Sequence, residues 1–187
     1  MKKMKAILLV AITALISNMS FAQMAMDNSV TVGGAPMYPS KNIIENAVNS
    51  KDHTTLVAAV KAAGLVETLE GPGPFTVFAP TNEAFNKLPA GTVDNLVKPE
   101  NKATLTKILT YHVVAGKLSA DDLKKMIKDG NGTATLTTVE GGKLMVMMKG
   151  KKIVLQDEKG GMAYITIKDV NQSNGVIHVI DSVLMPN

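Results

Sequence analysis

The chain has 187 residues, with 20 basic residues that are all Lys against 16 acidic ones, and it contains no Cys and no Trp. Without Cys there are no disulfide staples, no thiol catalysis and no Cys-based metal site, and without Arg the usual bidentate reader of phosphate is missing. The net charge is only +4, too little to supply the clustered positive field that a nucleic-acid partner requires.

Met1-Lys2-Lys3-Met4-Lys5 opens the chain, followed by an apolar run from Ala6 to Ile16 and by Ser20-Phe21-Ala22 ahead of Gln23. A basic start, a short apolar core and small residues at the −3 and −1 positions read as a secretory signal peptide over residues 1–22, of compact bacterial type. The run is too short to span a bilayer, and no Cys follows it to carry a lipid anchor. Three Lys and no acid depart with it, so the remaining chain is nearly neutral and long enough for one domain with its own core. The expected destination is the periplasm, the cell surface or the medium, with no membrane span after cleavage.

Residues 23–37 are small, polar and aperiodic, and read as a flexible leader ahead of a domain spanning 38–186. Ser40 can cap a helix through Asn49, with Ile43, Ile44, Ala47 and Val48 along one side. Asp52 can cap the next, turning Leu56, Val57, Val60 and Ala63 inward, with Gly64 as its stop and His53 facing solvent. Leu65 to Leu69 forms a brief helical turn before Gly71-Pro72-Gly73-Pro74.

Phe75 to Ala79 reads as a short buried strand, ended by Pro80, which has no N–H for a sheet partner. Thr81 then caps a helix through Leu88, with Glu83 in the first turn at the positive end of the dipole. Thr92 to Val97 is a short helix, and Pro99 opens another running to about Thr110 that buries Leu105, Ile108 and Leu109. Tyr111 to Val114 turns extended, and Ser119 with Asp122 starts a helix through Lys128 closed by Gly130. From Thr133 the period switches to strands over Thr133–Val139, Lys143–Met148, Lys152–Leu155, Met162–Val170 and Val176–Leu184. Gly141-Gly142, Gly150 and Gly160-Gly161 supply turns, and Asn174-Gly175 is a tight-turn signal before the last strand. Helices first and strands last predict an α+β domain, its N-terminal helices packed on a twisted sheet or sandwich formed mainly by the C-terminal half.

Two of these stretches carry a family resemblance. Gly73-Pro74-Phe75-Thr76-Val77-Phe78-Ala79-Pro80-Thr81-Asn82-Glu83-Ala84-Phe85 and Asn174-Gly175-Val176-Ile177-His178-Val179-Ile180-Asp181, with Tyr111-His112 between them, resemble the fasciclin domain, an extracellular adhesion module. The likeness runs from about Tyr38 to Pro186 and implies structural roles for the residues of both stretches. It implies a core role for the Tyr-His pair and for His178. It also points to two adhesion surfaces, one at Asp169 and Val170 and one at Tyr111, His112, Val113 and Val114. Val113 and Val114 are adjacent and point to opposite faces of any strand. They are therefore either an edge strand open to self-association or wholly core.

The remaining chemistry is sparse. Met145, Met147 and Met148 share one strand, and Met24 and Met26 lie in the leader; soft thioethers suit Cu(I), while Met also fills irregular cores where aromatics are scarce. Asp129 and Glu140 stand at the ends of an EF-hand count, but position six is Ala134 where a Gly is needed, so no metal is assigned. No His-Glu-x-x-His, Gly-x-Ser-x-Gly or phosphate loop is present. The expectation is an exported non-enzymatic adhesion or interaction module, with no cofactor and a protein, matrix or cell-surface partner. The alternative is an envelope carrier of a small ligand or Cu(I) through Met and His residues.

Overall fold

The computed structural model describes residues 28–187, so the signal segment and Met24 and Met26 lie outside the described residues. Two short strands, β1 (Val30–Val32) and β2 (Ala35–Met37), pair antiparallel as a hairpin. The helices α1 (Ile43–Ala47), α2 (Thr54–Ala63) and α3 (Val66–Glu70) follow. Then come β3 (Phe75–Pro80), α4 (Asn82–Asn86), α5 (Thr92–Leu96), α6 (Lys102–Tyr111), β4 (Val113–Ala115) and α7 (Ala120–Asp129). The chain ends in β5 (Thr133–Thr137), β6 (Lys143–Lys149), β7 (Lys152–Gln156), β8 (Met162–Gln172) and β9 (Gly175–Ile180).

Seven strands form one sheet in the order β4-β3-β9-β8-β7-β6-β5. The meander from β5 to β9 is antiparallel, as the Gly turns require, and β9 then lies parallel to β3 from Phe75↔Gly175 to Pro80↔Ile180. Beyond β5, Thr138 bridges Val114 and the Val139 N–H donates to the Val113 carbonyl at 2.7 Å. The two ends of the sheet therefore meet, and the sheet nearly closes into a barrel.

Alternation along β3 and β9 divides the apolar interior in two. Val77, Ala79, Ile177 and Val179 pack beneath α1, α2 and α6 with Ile43, Val60 and Leu105. Phe78 and Ile180 face the inside of the curved sheet with Leu144, Val146 and Leu155, covered by Leu123 and Ile127 of α7. The fold is thus α+β as expected, with α7 sealing the second face.

Several local expectations are corrected. The described part of the 23–37 leader is the β1–β2 hairpin, whose Val32 and Met37 are buried in the helical core. Gly33 and Gly34, at φ +58° and +76°, make the two-residue turn that this hairpin requires. The first helix is capped by Asn42 rather than Ser40: its side chain accepts the Glu45 N–H, and Glu45 returns the bond to the Asn42 N–H. His53 is buried rather than solvent-facing. Pro80 keeps its place as the last residue of β3, because the Ile180 carbonyl takes the N–H of Thr81 instead. Tyr111 ends a helix and does not begin a strand, and β9 stops at Ile180.

The entry of β3 and β9 rests on Asn174. Its side-chain amide donates to the Leu69 and Gly71 carbonyls at 2.8 and 3.0 Å, and its Oδ1 accepts the Ile43 N–H at 3.1 Å. A Cβ on Gly73 would lie 2.0 Å from the Asn174 carbonyl oxygen, and one on Gly175 2.1 Å from that of Phe75, so both strand starts need Gly. Asn174→Ala strands three backbone groups and is expected to lower stability by about 1–3 kcal/mol in urea unfolding, with the slope of the transition unchanged.

Candidate functional site

The residues matching the two implied adhesion surfaces lie mostly inside the protein. Tyr111, His112, Val113, Val114 and Val170 are all buried, and Asp169 is half-buried. An adhesion surface at Tyr111 to Val114 is thus corrected to core, and the edge that β4 was to offer is occupied by Thr138 and Val139. What these residues form instead is a set of hydrogen bonds that close the barrel.

Tyr111 donates its O–H to the Lys143 carbonyl at 2.7 Å and accepts the Glu158 N–H at 3.3 Å, tying α6 to the β6 and β7 ends. Burial, reinforced by the nearby Glu158, Asp157 and Glu140 carboxylates, pushes its phenol up to about 12. His112 donates Nδ1–H to the Ile108 carbonyl at 2.8 Å and accepts the Leu184 N–H on Nε2 at 3.0 Å. Backbone carbonyls only accept and N–H groups only donate, so this ring is fixed as one neutral tautomer. Burial accordingly lowers its pKa to about 4.

His178 is fixed in the opposite tautomer. Its Nε2–H donates to the Leu118 carbonyl at 2.9 Å, its Nδ1 accepts the Asp169 N–H at 3.2 Å, and the ring stacks on Phe78 with centroids 5.8 Å apart. Asp169 sits in the irregular part of β8 with φ +58°, a conformation that Asp tolerates and that re-aims its side chain. Its carboxylate accepts the Ala120 N–H at 2.7 Å, so Asp169 braces the first turn of α7. Burial lowers the pKa of His178 and of His53 as well. His53 Nδ1 bonds the Ser50 hydroxyl at 2.9 Å, whereas its buried Nε2 makes no hydrogen bond of normal geometry, the Ala79 carbonyl still favouring its charged form.

The motif residues have structural duties. The Thr76 hydroxyl donates to the Gly116 carbonyl at 2.7 Å and accepts the Leu118 N–H at 2.9 Å, Thr81 caps α4 through the Ala84 N–H, and the Asn82 amide spans to Lys51, Thr54 and Thr55. Asp181 accepts the Tyr164 N–H at 2.9 Å, and Phe85 is the buried aromatic of α4.

The thioethers do not converge. Met148 points into the barrel core, whereas Met145 and Met147 face outward, and no group of three or more His, Asp or Glu among the described residues could hold a metal. Lys149 donates to the Met162 sulfur at 2.9 Å, placing a positive charge where a Cu(I) ion would need to sit.

Sequence reasoning overlooked the outward face of β6, β7 and β8. Met145, Gln156 and Met162 lie side by side across the three strands, as do Met147, Val154 and Tyr164. Met145 and Met162 are 38% and 36% exposed, while Val154 between Met147 and Tyr164 is fully covered. Lys143, Lys149 and Lys152 are exposed around this cluster, and Lys152 lies 5.8 Å from the centre of the Tyr164 ring. The signal was present in Lys143-Leu144-Met145-Val146-Met147, an alternation in which both faces are apolar.

Comparison with known proteins agrees with this architecture. The family model of the fasciclin domain matches residues 51–186. The chain is 46% identical over 160 residues to protein sll1483 of Synechocystis, covering 86% of this chain and 82% of that one. It is 35% identical over 170 residues to the cell surface glycolipoprotein MPB83 of Mycobacterium bovis, covering 88% and 70%. Among solved structures it is similar to a FAS1 domain pair from the insect cell adhesion molecule fasciclin I, with TM-score 0.55 and 25% identity, covering 70% of this chain and 43% of that one. The chain belongs to the fasciclin domain family.

The buried imidazoles predict a pH response. The folded pKa of His112 is depressed from 6.5 to about 4, so the unfolded chain binds the extra proton first. Its stabilising contribution is complete above about pH 6.5 and is lost as the pH falls toward 4. The gap corresponds to roughly 3 kcal/mol, and His53 and His178 act in the same direction. Urea unfolding should give a flat stability above pH 7 and a decline between pH 6.5 and 5, shallower in His112→Gln.

Proposed function

We propose that this protein is an exported, non-enzymatic interaction module that binds a protein of the cell surface or matrix through the outward face of β6, β7 and β8. The observation that carries this reading is the exposed Met145–Met162 cluster with its Lys rim. Thioether chains adapt to an irregular partner surface, and aromatic and Met side chains are enriched where interfaces bury them. No acid occupies an outward position on these three strands, so the partner is a protein whose contact patch is apolar with acidic surroundings.

Family membership supports an interaction role, since one relative is a cell surface glycolipoprotein and a solved neighbour belongs to a cell adhesion molecule. The signal-like start supports export. A non-enzymatic role is supported by the imidazoles: both nitrogens of His112 and of His178 are committed to backbone groups, which leaves neither ring able to act as a general base.

The test is saturable binding of the exported protein to cells and matrix of its own source. Met145→Glu combined with Lys149→Glu is expected to weaken binding at least tenfold while the melting temperature holds. Lys98→Glu, next to α5 and away from this face, should leave binding unchanged. Equal binding by the double variant and the wild type would remove the assignment.

A further inference from the structure

Seven methionines lie among the described residues, and the fold sorts them by place. Met37 is buried in the helical core, Met148 and Met126 pack against the barrel core, and Met185 is half-buried near the end of the chain. Among the described residues only Met145 and Met162 are exposed methionines, and both stand on the outward face of β6 to β8, one on each side of Gln156. Met147, two residues along β6, is the half-buried third member of the group.

The two exposed thioethers differ in one respect. The Lys149 ammonium donates to the Met162 sulfur at 2.9 Å, and no such bond reaches Met145 among the described residues. Lys149 pairs with Lys152 at the β6–β7 turn and Met162 with Gln156 at the far end of β7, so the Lys149 side chain crosses the face to reach that sulfur. A thioether reacts with peroxides through a sulfur lone pair, so exposure admits the reaction and an ammonium bonded to that sulfur slows it. The product is a polar sulfoxide, whose oxygen is a far better acceptor for the same ammonium.

We propose that Met145 and Met162 form a paired oxidation site for peroxides, Met145 reacting ahead of Met162, and that their conversion to sulfoxides switches off recognition through the outward face of β6 to β8. The switch rests on the interaction role given to that face above, whereas the oxidation site does not. In each step the sulfur lone pair attacks one oxygen of hydrogen peroxide, and the S–O bond forms as the O–O bond breaks. Sulfur is oxidised by two electrons, and the hydroxide that leaves takes the proton of the S–OH group and departs as water. The interior is spared, because Leu144, Val146, Leu155 and Ala163 hold the opposite side of the same strands. Two apolar side chains at the centre of the patch thus become polar without any change of fold.

Peptide mass mapping of the exported protein through a graded hydrogen peroxide treatment tests the site. Met145 is expected to oxidise first, Met162 several-fold more slowly, and Met37 and Met148 last, with the melting temperature retained. Lys149→Gln should raise the rate at Met162 to that at Met145 and leave Met145 unchanged. Buried methionines oxidised as fast as Met145, or a Met162 rate unmoved by Lys149→Gln, overturns the site. For the switch, binding to cells and matrix should fall at least tenfold after oxidation and return after treatment with a thiol-dependent sulfoxide reductase. Met145→Leu with Met162→Leu keeps the patch apolar and should bind equally before and after peroxide. Full binding by the oxidised wild type, or binding lost to peroxide in the Leu variant, overturns the switch. Reduced wild-type protein that binds neither cells nor matrix removes the interaction role and the switch together, and the order of oxidation still decides the site.

Discussion

The parallel pairing of β3 with β9 is the constraint on which the other elements depend. The two strands lie far apart in the chain, and every helix and strand between them must fit inside the loop they close. Such a closure lowers chain entropy, though the penalty grows only slowly with loop length. Burial on both faces offsets it, since Val77 and Ile177 look into the helical core and Phe78 and Ile180 into the barrel. The two polar side chains on this ladder, Thr76 and His178, both reach the 116–118 turn, so the central pair also fixes the path into α7.

This arrangement explains which parts of the fold were legible in the sequence. Phe75 to Phe85 and the Ser119–Asp122 box carry their instructions locally: a strand, a Pro stop, a side-chain cap. The Gly turns among β5 to β8 are equally local. The β1–β2 hairpin was missed because its strands are too short to show a period, and its stability comes from Val32 and Met37 docking on a core assembled elsewhere. The Gly33-Gly34 pair was the one local hint. His53 was misplaced for the opposite reason: helical position suggests exposure, but the turn before α2 lies against the end of β3.

Tyr111 to Val114 shows why a strong motif located the site poorly. Polar and branched residues in an extended run are equally compatible with a binding rim and with a sealed seam. The choice is made by Thr138 and Val139, residues distant in sequence that cover the β4 edge. The Asp169 bulge is a similar case, because its φ and its bond to Ala120 follow from where α7 starts rather than from its neighbours in β8.

The two motif stretches of this chain are thus occupied largely by interior packing and hydrogen bonding. Thr76, Tyr111, His112 and His178 all answer backbone groups, and Asn174 alone answers three. Residues so committed cannot also recognise another molecule without giving up those bonds. Recognition must therefore fall to positions that the fold leaves chemically free. In this chain the outward face of β6 to β8, with its exposed Met and Lys side chains, is such a place, and the interaction role proposed above rests on it. The outward face of β6 to β8 draws on none of the motif residues, so it can vary while the interior is kept.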